Sequence, residues 1–166
     1  MSIAEAVERA NAYLAAHPEE ARYRDSAARA HLERGLVVDV AGPTGESLRT
    51  DMPTGIGGTA TAPSPGWFLR AAEAGCLASL IGIRAASLEV ELRSVDVEVD
   101  SESDDRGILG LDESIPAGAL SVRALVTIDA PGASRGTIEA LAAWALDHCP
   151  VTDTVRRSVP IELEVR

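Results

Sequence analysis

The chain has 166 residues and a formal net charge of −11, from 15 basic against 26 acidic side chains. That length suits one domain with a substantial core, and the charge repels nucleic-acid phosphates and anionic lipid, so neither a nucleic acid nor a membrane is an expected partner. Every basic residue is arginine, which excludes lysine nucleophiles and most pyridoxal-phosphate chemistry. His17, His31, His148 and the two cysteines match no zinc spacing, so neither a metal nor another cofactor is expected.

Ile3, Ala6, Val7, Ala10, Tyr13 and Leu14 recur at helical spacing until Pro18, predicting an amphipathic N-terminal helix. The segment lacks an early basic cluster, and no run elsewhere reads as a membrane span, so a cytoplasmic location is expected. Ala28, Ala30 and Leu32 alternate with Arg29, His31 and Glu33 before Arg34-Gly35 turns into Leu36 to Val40, the pattern of a β-hairpin. A third strand is expected over Ser47 to Asp51, then a glycine-rich approach through Gly55 to Gly58.

Ser64 and Pro65 read as the cap and first residue of a long helix to about Leu88. Phe68, Leu69, Ala72, Cys76, Leu80 and Ile83 form its expected apolar face. About 23 residues at 1.5 Å each make a helix roughly 35 Å long. So apolar a helix requires burial nearly all round, which a single copy of this chain covers poorly, and a dimer follows. Val95, Val97 and Val99 alternate with acidic residues as a strand, and residues 100–105 read as a solvated acidic loop. A strand over Ala119 to Ile128, a helix from Ser134 to about His148 and a final strand over Val159 to Val165 complete an α+β order.

Cys76 and Cys149 lie far apart in sequence, as the attacking and resolving thiols of a redox pair can, though buried cysteines also occur without a function. Cys76 sits too deep in its helix for the dipole to acidify it, and a cation from Arg34 or Arg29 on the hairpin is the available device. Glu73, one turn before Cys76, is placed to hold such an arginine, but a carboxylate there also raises the thiol. If Pro150 opens a short helix, Cys149 is its N-cap, where free amides favour a thiolate, so Cys149 is the more acidic thiol on this argument. Trp144 and His148, one turn apart, read as packing.

The hairpin Ala30-His31-Leu32-Glu33-Arg34-Gly35-Leu36, the approach Gly57-Gly58, the helix start Ser64-Pro65 ahead of Cys76, and Cys149-Pro150-Val151-Thr152-Asp153 followed by Arg157-Ser158-Val159-Pro160-Ile161 resemble the OsmC/Ohr family of organic hydroperoxide reductases. The resemblance covers residues 26–166, leaving residues 1–25 as an added helix and linker. It implies an OsmC-like fold of curved antiparallel sheets around a long central helix, in an intertwined homodimer. It also implies a thiol peroxidase of the oxidative stress response. Cys76 attacks the hydroperoxide and becomes a sulfenic acid, Cys149 closes a disulfide on it, and a dithiol reductant restores both.

In that pattern an arginine of the first hairpin, here Arg34, serves the attacking thiol, and its guanidinium is expected within about 6 Å of the Cys76 sulfur. The family's steadying glutamate is absent, since Gly66 and Trp67 stand at its positions, and Glu73 on the long helix is the substitute. The alternative reading is an OsmC-like protein with weakened or lost peroxidase activity, binding a small apolar ligand at the dimer interface, with Trp67 and Phe68 walling the pocket. A partner-binding role for the N-terminal helix is a third reading.

Overall fold

The computed structural model describes residues 1–165. The chain divides into two compact units, Arg9–Leu69 and Met1–Glu8 with Arg70–Arg166.

Helix α1 (Ile3–Ala16) begins with a reciprocal cap: the Glu5 amide donates to Ser2 Oγ at 3.2 Å while the Ser2 amide donates to Glu5 Oε2 at 2.6 Å. No residue of α1 is buried. In the unit of residues 9–69, β1 (Arg29–Arg34), β2 (Val37–Ala41) and β3 (Ser47–Thr50) form an antiparallel meander, with Ala30 opposite Val40 and Val38 opposite Thr50. Gly35 takes the positive φ, +55°, that the β1–β2 turn needs. The hairpin and third strand thus lie where the alternation predicts them. The expected buried face of β1 does not, because every residue of β1 is exposed.

Past β3 the chain is pinned by a carboxylate. Asp51 is buried and accepts from the amides of Met52, Thr59 and Thr61 and from the hydroxyls of Thr59 and Thr61. The loop closes so tightly that a Cβ on Gly58 would sit 1.8 Å from the Met52 carbonyl oxygen.

Helix α2 (Pro65–Ser87) runs over the predicted span. In the unit containing residues 70–166 it is followed by β4 (Ser94–Glu102), α3 (Asp105–Ile108), β5 (Ser121–Asp129), α4 (Arg135–His148) and α5 (Pro150–Arg156). β4 and β5 pair antiparallel from Ser94 opposite Asp129 to Glu102 opposite Ser121. Ser134 caps α4, its Oγ accepting from the Thr137 amide at 3.1 Å. Leu77, Ile81, Ala145 and Cys149 form the buried centre, with Val95, Val97, Ala124, Val126 and Ile128 of the ribbon packed against it.

Within one copy of the chain the buried residues of α2 are the single stripe Glu73, Leu77, Ile81 and Ala85, spaced by four as one line along a helix must be. Phe68, Leu69, Ala72, Leu80 and Ile83 lie outside it. Three expectations are corrected. Residues 100–105 are not one loop, since β4 continues to Glu102 and α3 starts at Asp105, with Asp104 as its cap. Residues 159–165 form no strand, because none of the described strands pairs with them, and Ile161 is 93% and Leu163 89% exposed. Finally, α2, expected as a core helix and not as a span, is long and apolar enough to cross a bilayer by length and composition. The core helix of a globular unit meets the same criterion.

Candidate active site

The two cysteines, remote in sequence, meet in the unit of residues 70–166. Cys76 lies in the middle of α2, half-buried, beside the fully buried Cys149. Both thiols are free, and the neighbourhood of the two sulfurs raises the pKa of Cys76 and lowers that of Cys149.

Pro150 explains the position of Cys149. The residue before a proline avoids helical geometry, so α4 stops at His148 and Cys149 is left extended, with φ −74° and ψ 114°, as the N-cap of α5. Its Sγ accepts from the Thr152 amide at 3.5 Å. Burial pushes the Cys149 thiol up, but the neighbouring Thr152, the Cys76 thiol and the Val151 amide outweigh it, and the thiol lies below its ordinary pKa. For Cys76, burial and the nearby Cys149 sulfur act together against the Val151 amide, and the pKa is raised. The more acidic sulfur is thus the N-cap, as the helix argument expects, while the more accessible sulfur is the mid-helix one.

Glu73 joins the pair by an unforeseen route. It is only 6% exposed and accepts a 2.9 Å hydrogen bond at Oε1 from the Thr152 hydroxyl. No ion pair engages Glu73 among the described residues. Its partner Thr152 was overlooked. The signal was in the sequence, because the third residue after a cap supplies the amide that the cap accepts from. His148 turns from the thiols: its ring stacks on Trp144 at 4.2 Å, and Trp144 also carries the Arg84 guanidinium at 5.0 Å.

Arg34 and Arg29 belong to the other unit, at opposite ends of β1, both exposed. Asp39 and Glu33 near them are engaged by Arg49, at 2.6 and 3.1 Å, and neither Arg34 nor Arg29 makes an ion pair among the described residues. Trp67 and Phe68 pack edge to face at 5.2 Å, with Trp67 half exposed. The apolar cavity of the 70–166 unit, about 260 Å³, is lined by Leu77, Ile81, Ala124, Val126, Ala142, Ala143 and Leu146, not by that aromatic pair.

The profile of the OsmC-like protein family matches residues 58–164, a stretch that includes both cysteines, Glu73 and Thr152. The chain belongs to the OsmC-like protein family. Its mixed helices and antiparallel sheets match solved structures of the family. One is an OsmC-like protein from Mycoplasma pneumoniae, 15% identical, with 81% of this chain and 89% of that chain covered and a TM-score of 0.68. An OsmC-like protein of unknown function from Vibrio cholerae is 11% identical, with 81% and 95% covered and a TM-score of 0.68. An organic hydroperoxide resistance protein OsmC from Legionella pneumophila is 23% identical, with 81% and 91% covered and a TM-score of 0.61. At these identities the likeness is one of fold. No curated protein matches the sequence.

Proposed function

We propose that this OsmC-like protein is a thiol-dependent peroxidase that reduces organic hydroperoxides to alcohols. The observation that carries the reading is the juxtaposition of Cys76 with Cys149, with the accessible thiol on the central helix and the acidic one buried behind it. The Cys76 thiolate attacks the distal peroxide oxygen, the O–O bond breaks, and the alkoxide leaves as an alcohol on taking a proton. Cys76 is left as a sulfenic acid. Cys149 then attacks that sulfur, hydroxide departs as water, and a dithiol reductant returns the disulfide to two thiols.

A raised Cys76 pKa needs a cation for the first step, and Arg34, which has no carboxylate partner among the described residues, is assigned that role, with Arg29 as the other hairpin candidate. The homodimer belongs to the same proposal. Support for it comes from the exposed β1, the narrow buried stripe of α2 and the exposed apolar residues Ile161 and Leu163. Two free thiols and a dithiol reductant fit a reducing, cytoplasmic location. Residues 1–25 are read as an addition to an OsmC-like domain of residues 26–166.

Counting thiols before and after an alkyl hydroperoxide tests the reading. Loss of both thiols with one alcohol formed per disulfide is expected, and Cys76→Ser should abolish it. Retention of both thiols with excess peroxide defeats the proposal. A second reading, in which the protein binds a small apolar ligand with little or no peroxidase activity, is favoured by the apolar cavity beside Leu77 and by Gly66 and Trp67 in place of the family glutamate. Organic extraction of the purified protein followed by mass spectrometry tests it, and an empty cavity with brisk turnover rejects it.

A further inference from the structure

The buried stripe of α2 reads Glu73, Leu77, Ile81, Ala85, three apolar residues headed by a carboxylate. A buried carboxylate is costly unless hydrogen bonds hold it, and Glu73 is held by the Thr152 hydroxyl, 2.9 Å away and itself on a residue only 4% exposed. The same residue's amide donates to Cys149 Sγ at 3.5 Å. One side chain thus binds α2 a turn before Cys76, while its backbone grips the second sulfur.

We propose that Glu73 and Thr152 are positioning residues that hold the Cys149 sulfur toward Cys76 and set the rate of disulfide closure. The inference deepens the peroxidase reading and rests on it for the identity of the oxidant only. In closure Cys149 gives up its proton, its sulfur attacks the Cys76 sulfenic acid, the S–O bond breaks, and the hydroxide leaves with a proton as water. The groups facing the Cys149 sulfur are the Cys76 thiol from α2, the Thr152 hydroxyl and the Val151 and Thr152 amides from α5, with Glu73 behind the hydroxyl; α4 contributes the apolar Ala145 and Leu146 to the surrounding core. The Thr152 hydroxyl gives its proton to Glu73, so the Thr152 amide is what holds the Cys149 sulfur, and Glu73 fixes that amide in place through the hydroxyl. Breaking the link at either end therefore frees the Cys149 sulfur and slows closure.

The test measures closure in reduced full-length protein treated with diamide, which accepts two electrons: one thiolate adds to its N=N bond, and the second displaces the hydrazine as the disulfide forms. Thr152→Val is expected to close about tenfold more slowly, the scale of one lost hydrogen bond to a charged group. Thr152→Ser, which keeps the hydroxyl, should restore the rate. Glu73→Leu, which removes the acceptor, should slow closure likewise, and it carries the test alone if Thr152→Val fails to fold. Equal rates for the wild type, Thr152→Val and Glu73→Leu overturn the proposal. Wild-type protein that closes with diamide yet ignores alkyl hydroperoxides refutes the peroxidase reading alone.

Discussion

Cys149 lies buried beside the more accessible Cys76, and their neighbourhood lowers the pKa of the buried thiol while raising that of the accessible one. The first proton to leave the pair is therefore that of Cys149. Titration by ultraviolet thiolate absorbance should show its first transition from Cys149, below the ordinary cysteine value. Cys149→Ser should remove that transition, and Cys76→Ala should move it upward by deleting a polar neighbour. A first transition that survives Cys149→Ser would contradict the assignment.

Restoring a carboxylate at the start of α2 is expected to help twice. Gly66 is an early helical residue, where Glu is a better helix former and its charge suits the helix dipole, gains of about 1 and 0.5 kcal/mol respectively. Gly66→Glu should therefore raise the melting temperature. If it also supplies the anchor that Arg34 lacks, the second-order rate with an alkyl hydroperoxide rises, which competition kinetics would measure.

The hydrophobic centre is most exposed to damage at Leu77, 1% exposed and packed with Ile81, Ala145 and Cys149. Leu77→Ala should cost about 2–5 kcal/mol through lost burial and an unfilled cavity. Urea unfolding at fixed protein concentration checks this, and a midpoint matching wild type would mean that the stripe of α2 is not the core.

Asp51 gives a pH signature of its own. The Thr59 hydroxyl and the Thr61 amide, opposed by burial and aided by the Met52 amide and Thr61 hydroxyl, hold its carboxyl well below the usual carboxylate range. A depressed acid contributes stability that is complete above its unfolded pKa and is lost as pH falls toward the folded value. Asp51→Asn should therefore melt below wild type at neutral pH, with the gap narrowing progressively as the pH falls below the usual carboxylate range. Calorimetry at several pH values would show it, and a constant gap would argue against a charge effect.

Removing residues 159–166 should leave the β4–β5 ribbon intact but weaken self-association if the exposed Ile161 and Leu163 seek a strand in a second copy. Sedimentation of the truncated and full chains compares the two directly, and an unchanged dimer would exclude that use of the segment.

Much of this architecture was legible because local signals are short-range. Pro65 after Ser64, Gly35 in the hairpin turn, Ser134 before α4 and Pro150 after Cys149 each act within a turn of where they stand. Packing is not short-range. The face of α2 that is buried depends on α4 and on the β4–β5 ribbon, and a helix apolar on most sides gives no periodic clue to it. The Val159 to Val165 alternation is a true strand pattern, but a pattern specifies pairing capacity and the chain supplies no pairing edge to it. In the site, the cap at Cys149 followed from proline geometry, whereas the Glu73–Thr152 contact joins helices far apart in sequence and had no local signature.

The meeting of mid-α2 with the first turn of α5 also has a thermal consequence. A bond between Cys76 and Cys149 would fasten together two points separated by most of the core, including both strands of the ribbon and all of α4. In the chain-entropy account, a loop of that size is worth about 4 kcal/mol to the folded state. A cell's oxidant burden would then be written into the protein's heat resistance, with each reduction cycle returning it to a looser form.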